Sequence, residues 1–458
     1  MFLRSRWMLV WFILLAAWLR AKGLFDNSFH IDEALFASWA RLISTGRDPF
    51  LQTQLVDKPP LLFYLQAVAF RFLRPSEWAA RLPNWIGSLV LLPLVYHWVQ
   101  RAWRDRLAGL IAALLLALSP FAIQFSSSAF TDFLMLVLVI AALAQRKSRI
   151  AGGLFGLALA VKYQALLLLP LFLRKRVAWQ IAILMLGCVA VWMFASGQTF
   201  GGTGDALLIR GIRPISSYEL RPRWQQWQTY LATVFNLPIL LLMLPSTVWL
   251  FMMPDRNRTI RTQDRLLWLM LLSYFCFHWL LATAVYDRYM LPFAVLVIVL
   301  VSRVLASIIR QLVASPPREQ LVRVLAVCSL FFCTLWLSVA AIDARDGRFL
   351  VGGRPNADEG AAAVGVFFAD APYGTVLYDH WYSWQWRFHL METGVYTEWT
   401  PDPATLVDNL DVFYDERRYI VLPADARAAP FQRALMSGGY QLEKRLQSNG
   451  ILLYQIMR

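Results

Sequence analysis

Long apolar runs separated by short basic links fill the first three quarters of the chain. They fall at roughly 7–24, 80–100, 107–125, 129–144, 150–161, 163–173, 177–196, 229–253, 266–285, 289–309 and 324–341. A helix needs ~20 apolar residues to cross a bilayer, so about eleven spanning elements are expected. The runs 150–161 and 163–173 are short, and they read either as one helix with Lys162 in mid-membrane or as a hairpin with Lys162 at its outer tip. Arg146, Lys147 and Arg149 precede the pair, and Arg174, Lys175 and Arg176 follow it. Basic links favour the cytoplasmic side, which selects the hairpin. With an inside N-terminus (Arg4, Arg6), the links holding Arg101, Arg104 and Arg106, then Arg256, Arg258, Arg261 and Arg265, then Arg310, Arg318 and Arg323 also fall inside. The stretch around Asp32, the loop 197–228 and the C-terminal region fall outside.

Two segments break this rhythm. After the first run, Asp32 and Glu33 open a helical pattern through Ala34, Leu35, Ala37, Ser38 and Leu42 that ends near Gly46, a glycine placed as a helix stop. Asp57 and Lys58 then stand directly before Pro59 and Pro60, and the proline pair starts a second amphipathic segment, LLFYLQAVAFRFL. After Ile342 the pattern becomes an ordinary soluble mixture. Apolar strand-like runs (TVLYD, RYIVLPAD, ILLYQIMR) interleave with helical ones such as PFQRALMSGG, the signature of a small α/β domain. The expected architecture is an all-α polytopic membrane domain over 1–341, with a small extracytoplasmic α/β domain over 342–458.

Composition agrees. Of the 458 residues, 58% are hydrophobic and 16% charged, and the mean hydropathy is +0.49, too apolar for a soluble protein. The formal charge of +15 would suggest nucleic acid in a soluble chain. Here the cations lie in the links, where membrane lipid headgroups are the fitting partner and nucleic acid is not. Cys188, Cys276, Cys328 and Cys333 fall in apolar runs and read as small core residues, without disulfide or metal spacing. Arg20 and Lys22 occupy the place where a signal-peptide cleavage site would lie, so the first run reads as a retained helix.

Candidate chemistry gathers in the outer segments. Asp32 comes with a second acid and a cation, Asp57 and Lys58, and mixed clusters at a pocket mouth are where working carboxylates occur. Two outer loops are basic against the topological bias, with Lys58, Arg71 and Arg74 in one and Arg210, Arg213, Arg221 and Arg223 in the other. That pattern suggests a bound anion.

The phrases DEALFASWARLISTGRDPF, DKPPLLFYLQA and EWAARLPNWIGSL, followed by SPFAIQFSSSAFTDFLML, GLALAVKYQALLLLP and DRYMLP, resemble the GT-C membrane glycosyltransferases, in the branch of protein O-mannosyltransferases and lipid A aminoarabinose transferases. The resemblance covers about the first three hundred and forty residues. It implies an inverting transferase that takes a sugar from a polyprenyl-phosphate donor and passes it to an extracytoplasmic acceptor, whether glycan, lipid-linked glycan or protein. The absence of extra lumenal modules favours the first two. By the resemblance, Asp32 matches the catalytic first-loop aspartate and Lys58 the phosphate-contacting lysine. Asp57 matches the acid, usually Glu, that precedes this lysine. Tyr289 matches a tyrosine on the carrier phosphate, Asp132 an acid at the outer end of the fourth helix, and Lys162 lies in the matching phrase GLALAVKYQALLLLP. Arg221, Arg223 and Arg288 are further phosphate candidates, because guanidinium forks fit phosphate oxygens.

One departure concerns metal. Relatives of the aminoarabinose type carry a metal-binding histidine before the eighth helix, where this chain reads YELRPRWQQW. No metal ligand is therefore assigned, and a divalent ion is left open. His278 reads as a helix-packing histidine, and Trp381, Trp384 and Trp386 read more readily as domain core than as a sugar-stacking platform. The alternative from another class is a transporter, a flippase or a carrier-lipid-binding protein without transferase activity. Transporters place ionisable groups at the midplane of repeated halves, and no repeat is visible here. In the expected bacterial inner-membrane topology, a cysteine placed at Asp205 should be labelled from outside the cell and one at Asn257 should not; the reverse would overturn the helix count.

Overall fold

The computed structural model describes residues 2–172, 176–195, 213–252, 257–281, 286–314, 320–348 and 357–458. Asp205, Arg174, Lys175, Arg210, Arg256 and Arg318 lie outside these residues. The chain divides into two compact units, one of residues 1–25 and 42–352 and one of residues 26–41 and 353–458.

The first unit is helical. Its opening helix α1 (Phe2–Asp26) is followed, after a segment belonging to the second unit, by α3 (Leu61–Leu73), α4 (Glu77–Ala102), α5 (Arg106–Leu118), α6 (Pro120–Ser126), α7 (Thr131–Ala144), α8 (Ser148–Val161) and α9 (Arg176–Ala195). Then come α10 (Ser217–Met252), α11 (Arg258–Leu280), α12 (Leu291–Ala314) and α13 (Gln320–Arg345). Among the described residues, each apolar run of the sequence falls on one of these helices, except 107–125, which falls on two, and 163–173, which falls on none of them. Three helices among the described residues are long and apolar enough to cross a membrane: 6–26, 77–102 and 287–310. The run 107–125 is a bent pair, α5 and α6, with a 61° change of direction at Ser119. Pro120 starts the second piece, and the Ser119 hydroxyl caps it by accepting from the Ala122 amide.

A break inside a bilayer exposes carbonyls, and the membrane offers no water to satisfy them. Arg20 supplies the donors. It is 1% exposed, and its guanidinium donates to the carbonyls of Leu116 and Ala117 at 3.0 and 3.1 Å and to Ala16 at 3.2 Å. Ser127 in turn donates to the Arg20 carbonyl, which ties the far side of the bend to α1. At the other end of the bundle, Asp105 caps α5 through the amides of Leu107 and Ala108 and pairs with Arg310.

The segment 150–173 breaks at Lys162. There α8 ends, and a 3-10 stretch (Tyr163–Phe172) continues the chain. The thiols of Cys188 and Cys328 are exposed on the outer faces of α9 and α13, so the expectation that they pack in the core is corrected. An apolar run buries only one helix face against its neighbours, and these two residues lie on the face left exposed.

The second unit holds a five-stranded sheet in the order β2-β1-β3-β5-β4. The strands are β1 (Thr375–Asp379), β2 (Val395–Trp399), β3 (Arg418–Pro423), β4 (Gln441–Ser448) and β5 (Ile451–Met457). The first three run parallel, and the β4–β5 hairpin adds antiparallel strands. Alternation splits the core between two faces: Leu377, Val421 and Leu453 pack on one side, Tyr378, Ile420 and Leu422 on the other. Trp386 is 1% exposed within the first cluster, so it is core.

The same unit holds α2 (Ile31–Ser44) through residue 41. Phe29 meets the Phe388 ring edge-on at 4.9 Å, the Asp358 amide donates to the Ser28 hydroxyl, and Arg41 donates to the Phe388 carbonyl and pairs with Glu392 at 3.0 Å.

Replacing Arg20 by Met should strand the helix-end carbonyls at the bend and cost about 2–4 kcal/mol, since each buried unsatisfied polar group costs about 1–3. Thermal unfolding in detergent checks this, with Arg71→Met on the exposed face of α3 as the neutral control; an unchanged melting curve for Arg20→Met would contradict the role.

Candidate active site

The loop between α2 and α3 is ordered by its own polar groups. Asp48 follows the helix stop at Gly46 and accepts hydrogen bonds from the amides of Gln52 and Thr53, both at 2.8 Å, and from the Thr53 hydroxyl at 2.6 Å. Burial works against its ionisation, but these bonds and one from the Leu51 amide outweigh it and hold the carboxyl below the usual range. Tyr64 of α3 donates to the Pro49 carbonyl and receives a bond from the Trp192 indole of α9. The side-chain amide of Gln52 reaches the last carbonyl of that helix, Ala195. On this scaffold stand Asp57 and Lys58, paired through both carboxylate oxygens at 2.9 and 2.7 Å, with the ammonium 28% exposed.

A second ionic group lies where α7 begins and α8 ends. Asp132 sits in the first turn of α7, a favourable place for an anion. Asn84, from the α4 motif EWAARLPNWIGSL, fixes that turn by donating to the carbonyls of Ser128 and Phe130, both at 2.7 Å. The carboxylate is 2% exposed. It pairs directly with Lys162, the residue that terminates α8, and Arg288 stands 3.7 Å from its second oxygen. Lys162 also lies over the Tyr289 ring at 4.1 Å, and Arg288 over Phe130 and Tyr286 at 4.5 and 4.6 Å. The Tyr274 hydroxyl donates to the Tyr289 carbonyl, which holds the 3-10 turn Asp287–Met290 in place. Lys58 is close enough for its charge to act on Lys162. Lys162 and Arg288 therefore flank one buried carboxylate, with the Asp57–Lys58 pair on the neighbouring loop and Asp287 adjoining Arg288 in the turn.

The other sequence candidates are placed differently. Asp32 lies in the first turn of α2, half-buried, with its amide donating to His30 Nδ1; it belongs to the second unit. Glu33 is fully buried and accepts from the His30 amide at 2.9 Å, half of a capping box. Arg223 donates to the carbonyls of His278 and Leu281 and so caps the end of α11. Arg221 is exposed on α10. His278 is buried, with Nδ1 against the Tyr274 carbonyl and Nε2 without a protein partner.

Sequence reasoning missed Asn84, Asp48 and Tyr274. An amide inside an apolar run and an Asp-Pro pair after a glycine were the available signals for the first two; Tyr274 carried none.

The metal question can be put to the residues themselves. Among the described residues of the first unit, no three carboxylate, imidazole or thiolate ligands converge. The donor set around Asp132 is cationic, which suits an oxyanion and not a metal cation.

Comparison with known proteins adds three observations. Residues 57–197 match the family model described as dolichyl-phosphate-mannose-protein mannosyltransferase, a stretch that includes Asp57, Lys58, Asp132 and Lys162. Among solved structures, ArnT from Cupriavidus metallidurans, in its apo state and bound to undecaprenyl phosphate, superposes with a TM-score of 0.63 at 14% identity, covering 97% of both chains. The Archaeoglobus fulgidus oligosaccharyltransferase superposes with a TM-score of 0.57 at 12% identity, covering 92% of this chain and 69% of that one. No curated protein sequence matches. The resemblance carried by the opening motifs thus extends to the whole architecture, and the chain has the fold of the GT-C membrane glycosyltransferases, with a small C-terminal sheet domain.

Proposed function

We propose that this protein is an inverting glycosyltransferase that moves a sugar from a polyprenyl-phosphate carrier to an acceptor hydroxyl on the extracytoplasmic side of a bacterial inner membrane. The observation that carries the reading is the pair of cations, Lys162 and Arg288, that share the buried Asp132 carboxylate at the start of the apolar helix α7, with the Lys58 charge acting on Lys162. A phosphate attached to a long apolar chain fits both halves of that description. The undecaprenyl phosphate held by ArnT and the dolichol-phosphate held by an archaeal oligosaccharyltransferase at 13% identity are carriers of this class.

In this reading the Asp32 carboxylate takes the proton of the acceptor hydroxyl as its oxygen attacks the anomeric carbon. The bond from that carbon to the phosphate oxygen breaks on the opposite face, and its electron pair leaves with the carrier phosphate. Lys58 meets the charge that develops there, with Arg288 and the Tyr289 hydroxyl as further contacts. Such preorganised electrostatic help is commonly the larger part of catalysis. Asp132 has the positioning role: without it, Lys162 and Arg288 would repel each other in a low-dielectric site. Asp57 holds Lys58 in place. Arg221 and Arg223 remain candidates for the carrier headgroup, with Arg223 already committed to carbonyls of α11.

The donor is to be identified by mass spectrometry of co-purified lipid and then used in transfer assays. Asp32→Asn should lower turnover roughly 10²–10⁴-fold with carrier binding nearly intact, because it removes a base and not a phosphate contact. Lys58→Met should weaken both. An Asp32→Asn variant that turns over at near wild-type rate would remove the base assignment. Activity should also survive exhaustive chelation; loss on chelation with rescue by a divalent ion would make Asp57 the leading metal ligand, since carboxylate oxygens suit magnesium or manganese.

A further inference from the structure

At the end of the bundle opposite Asp132 lies a cleft of about 770 Å³. Helix α7 runs between the two places, and its 14 residues separate them by ~20 Å at 1.5 Å per residue. Four arginines line the cleft: Arg101 from the last turn of α4, Arg104 from the link to α5, Arg106 from the first position of α5, and Arg146 just beyond α7. The side-chain amides of Gln145 and Gln263 add neutral hydrogen-bonding groups, while Trp98, Leu143 and Leu171 supply apolar wall. No carboxylate is among the lining residues.

The bland account is that arginines gather at this end because basic links stay on one side of a membrane and because two helix C-termini are negative. Magnitudes argue against sufficiency. The ends of α4 and α7 together offer about one negative charge. Even with Arg106 set aside, three guanidinium groups leave an excess of about two positive charges over that. The nearby acids are committed elsewhere. Asp105 pairs with Arg310 while capping α5, and Asp264 accepts from the Trp103 indole and stands 3.8 Å from Arg303. Arg101 donates to the terminal carbonyl of α7, Ala144, which holds its guanidinium at the cleft wall.

The backbone gives a second, independent sign. Arg104 follows the C-cap of α4 with φ 52°, in the left-handed region where helices usually end on glycine. Glycine would relieve that conformation, and arginine instead delivers a guanidinium into the cleft.

The geometry points to a phosphate-binding site here, distinct from the Asp132 site and about 20 Å from it along α7. Guanidinium forks recognise phosphate oxygens bidentately, and the adjoining indole and leucines suit an apolar continuation of the ligand. The shared chemistry is a phosphate oxyanion, which either a lipid headgroup or a soluble phosphate could present.

The experiment separates these sources. Purified full-length protein is challenged with phosphatidylglycerol against phosphatidylcholine, read by native mass spectrometry, and with inorganic pyrophosphate, read by calorimetry. Wild type should prefer the anionic lipid or bind pyrophosphate. The double variant Arg104→Gln and Arg146→Gln should lower that binding at least about tenfold, the scale of losing charge-assisted hydrogen bonds. Arg149→Gln, an exposed arginine outside the cleft lining, should not. Loss of lipid preference identifies a headgroup site, and loss of pyrophosphate binding identifies a soluble ligand. A wild-type protein with neither property, or a double variant indistinguishable from wild type, overturns the proposal. Both exchanged side chains are exposed, and unchanged undecaprenyl phosphate binding by the double variant keeps the effect local.

Discussion

A carboxylate inside an apolar bundle is a liability unless it is paired, because an isolated buried charge costs several kcal/mol even after relaxation. Asp132 is such a group, and the way it is neutralised organises the first unit. Lys162 can reach it only if α8 ends where it does, and Arg288 only if the 3-10 turn before α12 is held down by Tyr274. Asn84 adds the fourth helix by fixing the turn that presents the acid. Four separate stretches of chain are thereby brought to one point, and the product is a pair of cations kept side by side. Removing Asp132 would leave the two cations facing each other in a poor solvent.

The same logic governs the bend at Ser119. A straight helix would satisfy its own backbone; a bent one needs outside donors, and Arg20 supplies them from α1. A basic residue in the first apolar run is thus a fixture for irregular backbone, and the irregular backbone leads into the Ser127–Phe130 stretch that Asn84 grips. Local strain at one bend and charge pairing at the next turn form a continuous support beneath the site.

Much of this was legible beforehand. Hydrophobic periodicity located the helices, Gly46 the end of α2, and the run TVLYD a buried strand, because each of these is a local signal. The break at Lys162 was legible as one of two readings of the segment 150–173. Strands β2 and β4 were not found, and the reason is their position. They are the two edges of the sheet and expose most of their side chains, so no apolar run marks them. Contacts such as that between Asp132 and Lys162, thirty residues apart, are tertiary facts that no spacing rule expresses. The resemblance to a known family supplied the roles for Asp32 and Lys58, whereas Asp48, Asn84 and Tyr274 act through backbone groups and leave little trace in residue type.

Residues 26–41, which carry Asp32, belong to the same compact unit as residues 353–458, although they lie between helices of the first unit in sequence. The covalent order of the chain and its structural partition therefore disagree at residues 26–41. Anyone grafting the C-terminal unit of a relative onto this membrane domain would have to move the short first-loop segment with it, including Ser28, Phe29 and Arg41, or leave that segment facing a surface it was not matched to. The two must also have changed together as sequences diverged, so exchanges at Phe388 or Glu392 should be accompanied by exchanges at Phe29 or Arg41.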